Sequence, residues 1–223
     1  MTTPPASDPA APPGVPPAER IARGVAAAPD AITAGFFLLL WMVPQWLGPT
    51  ALRTGLLMML VEFILMHATG ILGGMALANA GDARRQWKPI LLFGAFYLLF
   101  IAAWSWIFKA WWPLLALAWL VAGKLALAWQ PLPDADKRDR LQSDWGISAI
   151  AYLCGVFVTM MLPLPRLGLT GDVVAAAHLP GSGEWVDKPH TVVAFGLLYF
   201  GLMATSKLRG WRLPGKPTVL RNH

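Results

Sequence analysis

Six runs of apolar residues, at 31–47, 52–77, 89–108, 111–129, 145–164 and 191–206, are separated by short polar segments. A helix crosses the hydrocarbon core of a bilayer with about 20 mostly apolar residues, so each run is a span or close to one. The shortest, 191–206, must stand nearly upright or borrow from His190 and Lys207, and the longest, 52–77, can cross with tilt. Composition agrees: 56% of the 223 residues are hydrophobic and only 13% are charged, with a mean hydropathy of +0.52. Soluble domains carry about 25% charged residues, so a water-soluble enzyme, a secreted disulfide scaffold and a disordered chain are excluded. The expected fold class is all-α, a polytopic integral membrane bundle of six transmembrane helices.

Residues 1–30 hold eight of the 20 prolines and are predicted to form a disordered Pro/Ala-rich tail. They lack the basic start, apolar stretch and small-residue cleavage site of a signal peptide. The transmembrane domain then covers 31–206, followed by a basic tail over 207–223. Only Lys109 and Ala110 separate the third and fourth runs, which predicts a tight helical hairpin.

The 18 Lys and Arg residues supply the orientation. With the N-terminus cytoplasmic, thirteen fall on the inner side: Arg20 and Arg23; Arg84, Arg85 and Lys88; Lys137, Arg138 and Arg140; Lys207, Arg209, Arg212, Lys216 and Arg221. Arg53, Lys109, Arg166 and Lys188 fall outside, and Lys124 lies within a span. This alternation follows the positive-inside rule and predicts cytoplasmic N- and C-termini. A five-span chain would put the basic C-terminal tail outside, against the bias. The composition style, rich in Ala, Pro, Arg and Trp, points to a bacterial inner membrane. The net charge of +6 therefore reports topology, and no basic stripe interleaved with aromatics indicates nucleic acid. The partners expected are the lipid bilayer and other membrane subunits or further copies of the chain. Twelve tryptophans, many at span ends such as Trp41, Trp46, Trp104, Trp106, Trp111 and Trp112, fit an interfacial belt.

Ionisable residues inside spans are costly and mark functional candidates. Glu62 and His67 lie on the second span, and five residues at ~100° each place them about 140° apart on the helix. Glu62 shares its stripe with Met66, Thr69 and Gly73; His67 shares its stripe with Phe63, Gly70 and Gly74. The Gly70/Gly74 spacing lets another helix approach closely, so both ionisable residues are expected to face protein. They act either as a proton, cation or substrate site, or as hydrogen-bonding links between helices. On the fourth span Ala118, Ala122 and Ala126 form a small-residue ladder expected to face a neighbour. Lys124 projects from the opposite side and snorkels toward the inner headgroups.

The longest outer segment, 165–190, carries Asp172, His178, Glu184, Asp187 and His190. Asp172, His178, Glu184 and His190 are the candidates for an external cluster, but they lack HExxH or any other ligand spacing. A short helix from Asp172, a turn at Gly181-Ser182-Gly183 and a loop folding back through Trp185 are predicted. The lone Cys154 excludes an internal disulfide and a CxxC site. Gly146-Ile147-Ser148-Ala149 lacks the final glycine of the rhomboid-protease serine motif, and Ser148 and His190 fall at opposite membrane edges. No metal or cofactor is expected. Three functions stay open: a non-enzymatic structural or accessory subunit, a small channel or transporter using Glu62 and His67, and an intramembrane enzyme acting on a lipid-type substrate.

Overall fold

The computed structural model describes residues 16–78, 83–129 and 135–213, and among these every regular element is a helix. The chain is a helical membrane bundle. Among the described residues five helices are long and apolar enough to cross a membrane, and a sixth is a shorter apolar one. In chain order the elements are α1 (Pro17–Met42), α2 (Ala51–Ala78), α3 (Ala83–Phe108), α4 (Trp112–Trp129), α5 (Ala135–Met161), α6 (Gly171–Ala176), α7 (Glu184–Asp187) and α8 (Pro189–Arg209). The remainder of the expected tails, 1–15 and 214–223, lies outside the described residues.

The expectation that residues 1–30 cannot form a helix is corrected by α1, which starts at Pro17 and runs through Pro29. Proline is favoured in a first helical turn, where its missing N–H would have no partner, and this explains the start. At Pro29 the chain tolerates one lost backbone bond, and Thr33 Oγ1 donates to the Pro29 carbonyl at 2.9 Å. The helix stops at Met42 because Pro44 excludes Val43 from helical geometry. The fifth helix is also longer than its apolar run: the polar stretch before Trp145 continues the same helix from Ala135. As anticipated, α8 borrows from both ends of its run, and Gly210 caps it in the left-handed conformation at φ 65°.

The α3–α4 hairpin forms as the short connection requires. Lys109 takes φ 55°, and Ala110 N donates to Ser105 O at 3.0 Å. Arg53 of α2 reaches over and donates to the Ile107 carbonyl at 3.0 Å, satisfying a carbonyl at the end of α3.

Two packing groups share α2. On one side α8 packs along α1, α5 and α2; on the other, the α3–α4 hairpin packs on α2. Glycines set the closest approaches in the first group. A Cβ on Gly196 of α8 would stand 2.5 Å from the Phe37 ring of α1, and one on Gly155 of α5 would stand 2.7 Å from Phe195. Among the described residues α4 and α5 flank α2 without an extensive packed interface, and a cavity lies between them. The outer surface is apolar: Trp119, Leu115 and Leu99 are 84%, 73% and 70% exposed. Lipid chains solvate such a surface at no cost, whereas water would not.

The 165–190 segment folds back as expected. Trp41 Nε1 donates to Pro165 O at 3.0 Å, and Gly168 N donates to Trp41 O at 2.9 Å. Gly181 and Gly183 make the turn with φ 91° and 111°, conformations that glycine adopts without strain. Trp185 then lies 6.2 Å from the Phe195 ring.

A candidate ligand cavity around Glu62

The gap between α4 and α5 opens into a cavity of about 1130 Å³ whose floor is α2. The helical stripe Glu62, Met66, Thr69 and Gly73 lines it, so the periodicity read from the sequence places these four residues on one wall. α4 contributes Ala116, Trp119 and Leu120, and α5 contributes Leu141, Gln142, Trp145 and Ser148. Tyr199 and Lys207 of α8, Asp30 of α1, and Arg138 and Asp144 of α5 add polar groups, and Met203 of α8 an apolar one.

Glu62 is half-buried and is held by a chain of hydroxyls. Tyr199 Oη donates to Glu62 Oε1 at 2.7 Å, and with that proton committed Ser148 Oγ donates to Tyr199 Oη at 2.6 Å. The network ties α2, α8 and α5 together at one level. Lys207 pairs with Asp30 in the same cavity, at 2.5 Å, with the side chains 36% and 15% exposed. None of the ion pairs among the described residues includes Glu62.

Aromatic rings pack behind this network. Phe37 stacks on Phe200 at 5.8 Å, Tyr199 meets Phe200 at 5.0 Å, and Tyr152 meets Phe195 at 4.7 Å and Tyr199 at 5.4 Å. The cavity itself is lined by the carboxylate of Glu62, the hydroxyls of Tyr199 and Ser148, and the polar first turns of α5.

α5 is fastened to α2 at two points that are seven residues apart on both helices. Trp145 Nε1 donates to Met66 O at 3.1 Å, and Tyr152 Oη donates to Met59 O at 2.8 Å. Buried indole and phenol groups need such acceptors, and the spacing of two turns puts both on the same helix face.

Glu62 and His67 face different surroundings, as the angle between them on α2 requires. His67 is exposed, its Nδ1 donates to Phe63 O of its own helix at 2.8 Å, and its ring lies 4.3 Å from Phe63. The expectation that it faces protein within this chain is overturned by the same 140° that separates it from the cavity wall. Gly70 and Gly74 behave differently from each other. A Cβ on Gly70 would meet the Trp145 indole at 2.6 Å, so this glycine seats a side chain from α5; Gly74 has open space and lines the cavity. Ala118 and Ala122 are exposed, because α4 packs inward through Leu117, Leu120 and Val121 instead. The side chains of Ala126 and Lys124 lie outside what is described.

The outer candidates are dispersed. Asp172 and His178 are exposed, Glu184 pairs with Lys188 at 2.7 Å, and His190 is buried at the start of α8. Among the described residues no three His, Cys, Asp or Glu side chains converge on a metal position. Ser148 has Tyr199 rather than a histidine as its partner, so it lacks the base that would make it a nucleophile.

Asp30, Trp145 and Tyr199 are site residues that the sequence did not single out, and Ser148 entered only through an incomplete protease motif. Asp30 stood in a segment read as tail. The signal for the others was a polar or indole side chain in apolar helices. Such a side chain must find a partner on a neighbour, but the sequence does not say which one. The chain matches no known protein-family description, and no curated protein or solved structure is significantly similar to it.

Proposed function

We propose that the chain is a six-span protein of a bacterial inner membrane, with both termini cytoplasmic, that binds a ligand within the bundle as a carrier rather than catalysing a reaction. The observation that carries this reading is Glu62, a hydrogen-bonded carboxylate on the wall of a large cavity inside the bundle. A residue serving only to link helices would sit in a dry contact, whereas Glu62 is both hydrogen-bonded and accessible from the cavity. Arg138 and Lys207 line the same cavity, and on the positive-inside assignment that part of it lies toward the cytoplasm.

The test is flux into proteoliposomes containing the full chain, followed with an internal pH dye. Wild type is expected to move protons or cations above the level of empty vesicles, and Glu62→Gln to abolish that flux while reconstituting at the same density. Equal flux for the two proteins overturns the reading.

A second reading, that of an accessory or homo-oligomeric subunit, draws on the exposed Ala118 and Ala122. Small residues turned away from the chain's own helices suit a helix from another subunit. Cross-linking of Ala118→Cys between copies in native membranes tests it.

A further inference from the structure

We propose that the ligand of this cavity is a lipophilic amine, an apolar body ending in an ammonium group, that reaches Glu62 from the bilayer through the gap between α4 and α5. The inference rests on the ligand-binding reading above and names the class of ligand. Three observations carry it.

The first is the gap itself. Among the described residues α4 and α5 both line the cavity without an extensive contact between them. Trp119, one of the lining residues, is 84% exposed, so the cavity wall runs continuously onto the outer apolar surface. A molecule dissolved in the lipid chains can pass sideways into the site without crossing water.

The second is the lining. Leu65, Met66, Leu120, Leu141, Trp145 and Met203 present an apolar wall to any occupant, and this favours a hydrophobic body over a hydrated ion.

The third is the charge on the cavity wall. Glu62 accepts one hydrogen bond from Tyr199 and enters none of the ion pairs of the described residues, while Asp30 and Lys207 neutralise each other. A carboxylate in apolar surroundings favours a cation over a neutral head and repels an anionic one. An ammonium donates to the remaining lone pairs of Glu62, and Ser148 and Tyr199 offer hydroxyl oxygens beside it.

The experiment uses the full chain in lipid vesicles and a twelve-carbon alkylamine carrying a photoactivatable diazirine, with the labelled peptides mapped by mass spectrometry. Labelling of the Met66 and Trp145 peptides is expected. Unlabelled dodecylamine should compete, dodecanol should compete at least tenfold less well, and dodecanoate not at all. Glu62→Gln should lower the labelling at least tenfold. Gly74→Phe, which puts a ring where open space now lies, should block it. Circular dichroism and monodispersity of both variants report whether they fold, and the competition series on wild type tests the proposal even where a variant does not.

Labelling confined to outward residues such as Leu99 and Leu115, or equal competition by dodecanoate, overturns the inference. If water-soluble ethylammonium competes as well as dodecylamine, the lipophilic ligand and its lateral route fall while a cation-binding site stands. If neither amine binds and Glu62→Gln leaves flux unchanged, both readings fall together.

Discussion

Tyr199 on α8 and Glu62 on α2 are joined by a 2.7 Å hydrogen bond between residues 137 apart in sequence, and this bond is a polar link between the two most buried helices of the bundle. Its strength is measurable. Double-mutant cycles on interhelical hydrogen bonds in membranes average about 0.6 kcal/mol and reach about 1.7 kcal/mol. The Tyr199→Phe/Glu62→Gln cycle is expected near the top of that range, because Ser148 polarises the phenol by donating to it. Reversible unfolding in mixed micelles supplies the four free energies. A coupling energy indistinguishable from zero would show that the two groups do not hold the helices together.

Gly70 and Gly74 should respond in opposite ways to the same substitution, although the sequence presents them as one motif. Gly70→Ala forces the Trp145 indole off its seat and strains the bond to the Met66 carbonyl, with an expected cost of about 1–3 kcal/mol. Gly74→Ala meets open space and removes a flexible residue from a helix interior, a change worth up to about 1 kcal/mol of added stability. Thermal unfolding of the two variants side by side checks the difference in sign. Equal destabilisation by both would place a helix against Gly74 as well.

The sequence pattern was informative to different degrees in different places, for physical reasons. Span positions were readable because membrane solvation demands long apolar runs. The wall of Glu62, Met66, Thr69 and Gly73 followed from helical period alone. What lay across from that wall did not, since partner choice depends on the order of helix packing. The sequence therefore says that Tyr199 and Ser148 need partners without pairing them with Glu62. Asp30 was hidden for another reason: a proline-rich stretch reads as a helix breaker, yet α1 absorbs Pro29 and delivers Asp30 to Lys207. His67 was misplaced because an ionisable residue in an apolar span was expected to face protein. Its imidazole instead donates to its own helix, to the Phe63 carbonyl, and so it can stand outward.

The Asp30–Lys207 pair predicts a charge-swap rescue. With both side chains partly exposed, the pair contributes roughly 1 kcal/mol rather than the larger value of a fully buried one. Asp30→Lys or Lys207→Asp alone places like charges together at the α1–α8 contact and should lower the melting temperature. The double swap should recover most of the loss. Failure of the swap to rescue, with both single variants folded, would mean that α1 is not held to α8 through this pair.

The proposed six-span orientation makes a set of predictions that share one reagent. Cys154 is exposed on α5, so it is first replaced by alanine to give a cysteine-free chain. Single cysteines are then placed at Gln45, Ala110 and Ser182 on one side, and at Ser143 and Arg212 on the other. With both termini cytoplasmic, a membrane-impermeant maleimide added to intact cells in which the outer membrane has been permeabilised should label Gln45→Cys, Ala110→Cys and Ser182→Cys. Arg212→Cys should react only after the inner membrane is broken. Ser143→Cys should stay slow even then, because Ser143 is buried and its hydroxyl accepts the backbone N–H of Leu213 at 2.7 Å, which covers the site. Labelling of Arg212→Cys in intact cells would place the C-terminus outside. The thirteen basic residues assigned to the inner side would then lie on the wrong side of the membrane, and the proposed orientation would fall.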